Sequence, residues 1–206
     1  MTENVARILL VAATEAEMPA AKLSIADTLI LGVGMVSASF QLTKALSNSP
    51  YDLVVNIGIA GSFSSQYEIG SVLQVVSDRL VELGVEDRGL FIPADELGLV
   101  PVENLYFKTD VRVGSLPTAD GITVNRVHGT FEAIEEVRSQ FSPDVESMEG
   151  AAVAFVCQQF GVPWVQLRAI SNKVEPRDRA AWNIPMALKN LHDSLPEVLN
   201  RITDEA

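Results

Sequence analysis

Short, largely apolar runs alternate with amphipathic segments along most of the chain. Residues 8–13, 52–57 and 164–170 form such runs, which is the pattern of strands that are covered on both faces. Between the first two runs, residues 35–46 combine small and apolar side chains in the way that suits a helix packed closely on a sheet. The order strand, helix, strand predicts a β-α-β unit and an α/β fold.

The rest of the pattern predicts more strands and helices and one long loop. Further strands are expected at 29–33, 72–76, 111–115 and 121–127, and further helices at 15–22, 132–141 and 186–202, the last interrupted near Pro196. Residues 84–103 are rich in Asp, Glu, Gly and Pro, which favours a loop or surface insertion.

Length and composition favour one domain over residues 1–206. The chain is 48% hydrophobic, enough for an ample core. Its formal net charge of -12 would repel nucleic acid and anionic membranes, so neither is an expected partner. The single cysteine, Cys157, excludes an intrachain disulfide and a cysteine metal cluster. The apolar stretch at 5–13 contains Arg7 and is too short to span a bilayer, so neither a signal peptide nor an anchor is expected, and we expect a cytoplasmic protein.

Two polar residues follow predicted elements at positions where a ligand can bind. Glu149 opens a helix-forming segment at 151–160 that stops at Gly161. Asn172 lies just past the strand at 164–170. Open α/β sheets bind ligands beside the carboxyl ends of their strands, so the acid and the amide are expected to face one small molecule.

The acidic candidates have two interpretations each. A carboxylate at Glu149 can accept two hydrogen bonds at once, which matches the adjacent hydroxyls of a ribose. The alternative is that Glu149 only stabilises a helix N-terminus. Glu17, just after the first strand, is either a base that activates water or a solvated first-turn residue. His128 and His192 have no carboxylate or cysteine at ligand spacing, so no metal site is expected.

Two glycine-rich stretches also follow strands. Residues 56–62 (NIGIAGS) are small enough for backbone N–H groups to approach a ligand closely, although glycines also mark ordinary tight turns. Residues 32–34 (GVG) lack the third glycine of a dinucleotide-binding fingerprint, so we interpret them as a strand-to-helix turn.

Several of these segments together carry a family resemblance. Residues 13–17 (ATEAE), 56–61 (NIGIAG), 146–152 (ESMEGAA) and 168–172 (RAISN) resemble the purine nucleoside phosphorylase and nucleosidase superfamily, over nearly the whole chain. The resemblance implies a single-domain, three-layer α/β/α fold with a central mixed, twisted sheet. It also implies a homodimer that acts on a small-molecule nucleoside without a cofactor.

The resemblance assigns a role to each matching position. Glu17 would hold and activate the attacking water, and Asn172 would face N7 of the base. Met148 and Glu149 would contact the ribose. One loop would line the pocket for the base and the sugar: Ile59, Ala60 and Gly61.

Two departures from related adenine nucleosidases bear on the substrate. Those enzymes carry Asp where this chain has Asn172, and Glu where it has Ser147. A 6-oxopurine presents acceptors at both O6 and N7, to which an amide NH2 can donate, whereas an ionised carboxylate has no proton to give. Asn172 therefore favours a 6-oxopurine such as hypoxanthine.

Within the superfamily, residues 169–179 (AISNKVEPRDR) resemble the members that hydrolyse futalosine. The resemblance implies release of hypoxanthine from futalosine in menaquinone biosynthesis. Three alternatives stay open: a nucleosidase for methylthioadenosine, S-adenosylhomocysteine or aminodeoxyfutalosine, a purine nucleoside phosphorylase, and a nucleoside-binding protein without turnover.

The nucleophile is expected to be water. Phosphorylases of this superfamily typically place an Arg just before the glycine-rich turn, where this chain reads VNIG at 55–58. Without a cation there, a phosphate dianion would lack its strongest bidentate contact. Arg7 and Arg168 lie in buried strand patterns, and we expect Arg168 to be neutralised by a core carboxylate.

The most basic stretch follows Asn172. Futalosine carries a benzoate on its 5′ side, and Arg177 or Arg179 could bind it with the planar fork of a guanidinium. The alternative is that both arginines pair with Asp178 or neighbouring acids on a solvated loop.

Overall fold

The computed structural model describes residues 6–20 and 24–205. Within these residues the strands are β1 (Ile8–Ala12), β2 (Ala26–Ile30), β3 (Leu53–Ser62), β4 (Val72–Leu80), β5 (Gly84–Asp87), β6 (Leu90–Pro93), β7 (Tyr106–Lys108), β8 (Thr118–Thr123), β9 (Val145–Ser147) and β10 (Trp164–Lys173). The helices are α1 (Met35–Asn48), α2 (Phe131–Phe141), α3 (Gly150–Phe160) and α4 (Ile184–Glu205). Short 3-10 turns lie at Val102–Asn104 and Arg179–Ala181.

Five strands of the main sheet close into a ring. β3 pairs with β10 in parallel and with β9 in antiparallel orientation, and β9 pairs with β8 in parallel. β8 pairs with β4 in parallel, and β4 returns to β10 in antiparallel orientation. β1 and β2 extend the sheet beyond β3, and β7 extends it beyond β4.

The parallel strands β1, β3 and β10 end at one edge of the sheet. Ala12 lies beside Ile57, and Ile57 lies beside Leu167, so the three strands stay in register up to the end of β1. β3 and β10 then continue together as far as Ser62 and Lys173. Residues that follow β1 are therefore placed next to the second halves of β3 and β10.

Helices cover both faces of the sheet. α4 packs on one face, where Leu191, Leu195 and Leu199 are fully buried, and α1 and α3 pack together on the other face. A separate apolar cluster that includes Tyr67 and Leu73 joins residues of all five ring strands. The predicted three-layer fold with a mixed central sheet is confirmed. Among the described residues, the helices are all too short or too polar to cross a membrane.

The helix at the end of the chain is longer than predicted and runs without interruption through Pro196. A proline inside a helix costs about 3 kcal/mol. Each fully buried leucine contributes about 1.5–3 kcal/mol. The three buried leucines of α4 flank Pro196 on the packed face, so packing outweighs the lost hydrogen bond.

Residues 111–115 do not form the predicted strand. The carbonyl of Val111 accepts a hydrogen bond from Gln74 Nε2 at 2.7 Å, and the N–H of Val113 donates to Gln74 Oε1 at 3.0 Å. Gln74 is 1% exposed. The side chain of one buried glutamine thus takes the place of a neighbouring strand, which the apolar pattern could not indicate.

The predicted loop at 84–103 contains a β-hairpin, β5–β6. Arg88 and Gly89 at its tip have φ angles of 52° and 80°. Two consecutive positive φ angles are typical of the two-residue turns that join hairpin strands. The segment is a surface insertion, as predicted, but it folds as a hairpin and not as an irregular loop, because the polar composition concealed this turn.

The predicted helix at 15–22 is also wrong as far as residue 20, and residues 21 and 22 lie outside the described residues. Residues 14–20 form turns and bends. Pro19 disfavours a helical conformation at Met18. β2 and β8 begin before their predicted starts at residues 29 and 121.

Candidate active site

Glu17 lies in the turn after β1 and is fixed by three hydrogen bonds. Its Oε2 accepts from the backbone N–H of Thr14 at 3.0 Å and from Thr14 Oγ1 at 2.9 Å. Its Oε1 accepts from the N–H of Ile59 in β3 at 3.2 Å. Glu17 is 8% exposed, so it is not a solvated turn residue. The Thr-x-x-Glu spacing that produces the Thr14 contact is visible in the sequence but was not among the predicted site features.

Glu149 lies at the N-terminus of α3, as predicted, but its side chain makes no capping hydrogen bond to that helix. Its Oε1 accepts instead from the N–H of Gly34 at 2.8 Å. Gly32 and Gly34 have φ angles of 80° and 89°, which confirms the predicted turn and explains why glycine occupies both positions. The turn before α1 therefore holds the carboxylate of Glu149 across the fold.

Arg168 is a site residue that the sequence interpretation missed. It is 1% exposed in β10 and lies opposite Gly58 of β3. A side chain at Gly58 would collide with the Arg168 guanidinium, and its Cβ would lie 2.8 Å from Glu17 Oε1. The absence of a side chain at Gly58 thus lets the cation and the carboxylate of Glu17 approach each other.

The charge of Arg168 acts on the buried carboxylates of Asp78 and Glu149, in line with the expected core carboxylate. Nε and Nη2 of Arg168 have no hydrogen-bond partner among the described residues. Buried arginines with unpaired donors are uncommon in proteins. The presence of Arg168 in an otherwise apolar strand was the feature of the sequence that could have indicated a functional role. Burial raises the pKa of Glu149, and the Arg168 charge and the Gly34 N–H oppose this shift.

Asn172 is the second-to-last residue of strand β10, because the strand continues through Lys173, beyond its predicted end at residue 170. The pairing with β3 shifts register between Ile170 and Asn172, which is a bulge. Asn172 Nδ2 donates to the carbonyl of Lys173 at 2.9 Å, and Oδ1 accepts from Ser171 Oγ at 2.8 Å. The carbonyl partner fixes the orientation of the amide. One N–H of Nδ2 is thereby used, and the second can serve a ligand.

Ile59, Ala60 and Gly61 belong to strand β3 and not to the predicted loop. Backbone hydrogen bonding to β10 and β9 keeps this glycine-rich segment extended. The side chain of Ala60 packs in the apolar cluster with Tyr67. Gly61 lies beside Asn172, since a Cβ there would be 3.1 Å from Asn172 Nδ2.

The structure thus aligns the predicted residues along one strand. Glu17 and Arg168 meet at Gly58, Glu149 interacts electrostatically with both, and Asn172 lies at Gly61. Three residues of strand span about 10 Å, which is the length scale of a nucleoside. Met148, half-buried, directly precedes Glu149.

The two predicted arginines lie apart from this group on the exposed segment 175–181. Arg177 stacks on Trp182 with its guanidinium carbon 5.2 Å from the ring centroid, and it lines a cavity of about 820 Å³ together with Arg126 and His128. Arg179 begins a short 3-10 turn. Asp178 accepts a hydrogen bond from the backbone of Ala180 at 2.9 Å.

Glu146 and His128 form a buried pair that sequence spacing did not indicate. Glu146 is 3% exposed, and its Oε2 lies 2.6 Å from His128 Nδ1. The two residues lie on different elements, β9 and the segment before α2, so only the fold brings them together.

Asp78 lies behind the site, beneath the start of α3. It accepts hydrogen bonds from Thr123 Oγ1 and Gln166 Nε2, both at 2.9 Å. Thr123 Oγ1 in turn accepts from the N–H of Ala151 at 2.7 Å. Burial raises the pKa of Asp78 to about 6, although these hydrogen bonds and the charge of Arg168 oppose the shift.

Asp78→Asn is expected to change the pH dependence of stability. The folded protein binds a proton at Asp78 more readily than the unfolded chain, so this residue lowers the free energy of unfolding as pH rises from about 4 to about 6. Raising the pKa of Asp78 from 3.8 to about 6 lowers the free energy of unfolding by about 3 kcal/mol once the residue is ionised. The free energy of unfolding of the variant minus that of wild type should therefore be about 3 kcal/mol larger at pH 8 than at pH 4, as measured by urea unfolding. An equal difference at both pH values, or the same change in the exposed control Asp87→Asn, would contradict this account.

Comparisons with known proteins agree with this architecture. The model of the phosphorylase superfamily matches residues 22–202. Futalosine hydrolase from Streptomyces coelicolor is 36% identical over 179 residues, covering 82% of this chain and 76% of that protein. A 5′-methylthioadenosine/S-adenosylhomocysteine nucleosidase from Marinomonas is 31% identical over 157 residues, covering 68% of this chain and 65% of that protein. The crystal structure of the corresponding nucleosidase from Campylobacter jejuni shares the fold with a TM-score of 0.78, at 20% identity, over 97% of this chain and 99% of that one. The chain therefore belongs to the phosphorylase superfamily.

Proposed function

We propose that this chain is a nucleosidase that hydrolyses the N-glycosidic bond of a 6-oxopurine nucleoside. The observation that carries the proposal is that Glu17 and Arg168 meet at Gly58, that Glu149 interacts electrostatically with both, and that the amide of Asn172 lies at Gly61. The groups near Gly58 suit a sugar and water, and the amide near Gly61 suits a purine. The names of its curated relatives support the same reaction class.

The charges of the site suit the bond that breaks. Cleavage leaves positive charge on the sugar and negative charge on the departing base. The carboxylates of Glu17 and Glu149 would stabilise the cationic sugar, and Glu149 would accept hydrogen bonds from ribose hydroxyls. At the other end, the free N–H of Asn172 would stabilise the anionic base at N7 or O6.

The attacking water would lie over Gly58, between Glu17 and Arg168. The carboxylate of Glu17 would accept the proton of this water as the new bond to the sugar forms. The guanidinium of Arg168, whose Nη1 is the atom nearest to Gly58, would orient the water. Gly58 is suited to this position because any side chain there would fill the space between the two groups.

The charges around Arg168 favour water over phosphate as the nucleophile. Arg168 provides a cation that the sequence interpretation did not place in the site, but Glu17, Glu149 and Asp78 surround it. A phosphate dianion would meet three carboxylates and one guanidinium, and like charges at close range are unfavourable. A phosphorylase is therefore the less favoured alternative.

Futalosine is the substrate that we propose. Asn172 favours hypoxanthine as the base, and the most similar curated relatives that we compared include a futalosine hydrolase. The products would be hypoxanthine and dehypoxanthine futalosine, in menaquinone biosynthesis in the cytoplasm. A methylthioadenosine or aminodeoxyfutalosine nucleosidase is the alternative that the Marinomonas relative supports.

The deciding experiment incubates the purified chain with futalosine, inosine, aminodeoxyfutalosine and methylthioadenosine, with and without phosphate. Release of hypoxanthine from futalosine at a rate independent of phosphate is the expected result. Preferred release of adenine would favour the alternative nucleosidase, and a rate proportional to phosphate would identify a phosphorylase. Tight binding without release of any base would indicate a binding protein.

Asn172→Asp is expected to reverse the choice of base. The variant replaces a donor of two protons by a group that must be protonated before it can donate. Hydrolysis of futalosine should fall by about one to two orders of magnitude, since one charge-assisted hydrogen bond contributes about 1.5–3 kcal/mol, and adenine nucleosides should become better substrates. The ratio of kcat/KM for futalosine and aminodeoxyfutalosine measures the effect. An unchanged ratio would remove Asn172 from base selection.

Arg177 is the arginine that we propose for the benzoate of futalosine, because it lines a cavity and stacks on Trp182. Arg177→Ala should raise the KM for futalosine several-fold more than that for inosine, which lacks the benzoate. Arg179→Ala serves as the matched control from the same exposed segment. An equal loss on both substrates would show that Arg177 acts only on the structure of the loop.

A homodimer is also proposed, through the first turns of α1. Val33, Val36 and Phe40 are 59%, 83% and 65% exposed in one apolar patch beside the turn that holds Glu149. Patches of this kind mark protein interfaces. Sedimentation of the purified chain measures the state directly.

A further inference from the structure

The first turn of α3 is capped by a residue from another strand. Glu149 occupies the N-cap position, and its carbonyl accepts the first helical hydrogen bond, from the N–H of Val153 at 3.0 Å. A side chain at the N-cap normally accepts from the N–H two or three residues further on, but the carboxylate of Glu149 makes no such bond. The N–H of Ala151 donates instead to Oγ1 of Thr123, at 2.7 Å. The cap of α3 thus comes from β8, 28 positions earlier in the chain.

Asp78 fixes the orientation of the Thr123 hydroxyl. Thr123 Oγ1 donates its single proton to Asp78 Oδ1 at 2.9 Å, which leaves its lone pairs to accept from the N–H of Ala151. The other carboxylate oxygen of Asp78 accepts from Gln166 Nε2 at 2.9 Å, so the carboxylate is held from both sides. Thr123 and Asp78 are fully buried, so bulk water does not compete for these hydrogen bonds.

Gly150 allows α3 to begin directly on these buried groups. A side chain at Gly150 would collide with the carboxylate of Asp78 and with the amide of Gln166. Glycine is a poor helix former, so its presence as the first helical residue is explained by this close approach. The start of α3 is therefore fixed in place by contacts behind the helix and not by the side chain of its own N-cap residue.

This arrangement leaves the carboxylate of Glu149 free to point elsewhere. The N–H groups of a first helical turn attract a carboxylate, and a buried N–H without an acceptor is unfavourable. Without the Thr123 hydroxyl, the acceptor available to the N–H of Ala151 would be Glu149 itself, as at an ordinary N-cap. With the hydroxyl in place, Glu149 Oε1 accepts from the N–H of Gly34 at 2.8 Å, and the remaining lone pairs can accept from a ligand.

We propose that Thr123, oriented by Asp78, takes over the cap of α3 and thereby keeps Glu149 available for the ribose hydroxyls. The inference rests on the proposed function, because it assumes that Glu149 binds the sugar of a nucleoside. Thr123 and Asp78 are positioning residues, since both lie behind the helix and act on the ligand only through Glu149. Loss of the hydroxyl would allow Glu149 to turn back onto its own helix, and sugar recognition would be lost with it.

The structural alternative is that Thr123 and Asp78 only stabilise the packing of α3 on β8. Loss of the hydroxyl would then lower the free energy of unfolding and would reduce the hydrolysis of all nucleosides alike. A displaced Glu149 reduces hydrolysis mainly where a ribose hydroxyl has to be bound. The two interpretations therefore differ in how far the enzyme prefers a riboside to the corresponding 2′-deoxyriboside.

The experiment measures kcat/KM for futalosine and its 2′-deoxy analogue with wild type, Thr123→Val and Thr123→Ser. Valine has the shape of threonine without the hydroxyl, whereas serine keeps the hydroxyl. In Thr123→Val the ratio of kcat/KM for the riboside to that for the deoxyriboside should fall roughly tenfold or more, as expected when a hydrogen bond to a charged group is lost. Thr123→Ser should restore most of the wild-type ratio.

Two further variants separate this effect from a loss of stability. Thr109→Val removes another buried threonine hydroxyl, which donates to the carbonyl of Trp164 at 2.8 Å and makes no bond to α3. This control should lower the free energy of unfolding and leave the ratio unchanged. Adding Thr123→Val to Glu149→Gln should lower the ratio no further than Glu149→Gln does alone, because both changes remove the same sugar contact. Independent structural effects would add.

Two outcomes would overturn the inference. One is a folded Thr123→Val variant that keeps the wild-type ratio. The other is fast hydrogen exchange of the Ala151 amide in the folded wild type, which would show that its N–H is not capped and which does not depend on the folding of any variant. If wild type hydrolyses futalosine while either outcome is found, the proposed function stands and only the role of Thr123 fails. A wild type that releases no base would refute the proposed function instead.

Discussion

Glu17→Gln should reduce hydrolysis by roughly 10²- to 10⁴-fold while leaving substrate affinity almost unchanged, because a general base is lost and a binding group is not. The amide oxygen of Gln can still accept both hydrogen bonds from Thr14, which should keep the side chain in place, whereas the hydrogen bond from the Ile59 N–H is lost because the Gln NH2 is itself a donor. The amide cannot take a proton from water. Single-turnover hydrolysis and substrate binding, measured separately, should show bound but uncleaved nucleoside.

The control for this variant is Glu15→Gln, which removes an exposed acid from the same turn. It should hydrolyse the substrate at the wild-type rate. Near-normal hydrolysis by Glu17→Gln, at any pH at which the protein is folded, would exclude Glu17 as the base. A loss of affinity equal to the loss of rate would assign it a binding role.

The second large effect is expected from Glu149→Gln. Its amide oxygen can keep the hydrogen bond from the N–H of Gly34, which leaves the NH2 group facing the sugar. A ribose hydroxyl then meets a donor in place of a charged acceptor. The expected loss in kcat/KM for a riboside is about 10- to 150-fold, from about 1.5–3 kcal/mol for one charge-assisted hydrogen bond.

A 2′-deoxy substrate reveals whether that loss arises from the sugar contact. Wild type should prefer the riboside, and Glu149→Gln should act on both sugars at similar, low rates. The exposed Glu175→Gln, beyond β10, provides the matched control. If the variant damages hydrolysis of the deoxy substrate as much as that of the riboside, Glu149 does not contact the 2′-hydroxyl.

The positions of Glu17, Glu149 and Asn172 were predictable because each follows or precedes an element with a clear apolar pattern. Parallel strands bring their carboxyl ends to one edge, which places Glu17 and Asn172 near one another, whereas Glu149 follows β9, which runs antiparallel to β3. Glycine-rich residues 58–61 were harder, since Gly favours turns locally and only pairing with β9 and β10 makes them a strand.

Other features depend on contacts between distant parts of the chain. Gln74 replaces a strand partner for residues 111–113, and His128 meets Glu146 only after β9 has joined the sheet. Arg168 was assigned to the core because a strand pattern does not reveal which side chain lies across from a glycine. Such pairings cannot be inferred from the spacing of residues in one sequence.

The closed ring of strands has a consequence for how the protein acquires its activity. β10 is the last strand among the described residues, and it joins β3 and β4, whose paired residues lie more than 90 positions earlier in the chain. Pairings between such distant segments form slowly, because a long loop must close before any contact is gained. Arg168 and Asn172 both lie on this closing strand. A ribosome-bound chain that has not yet released β10 would carry Glu17 and Glu149 but neither Arg168 nor Asn172, so the proposed site can form only in the final stage of folding.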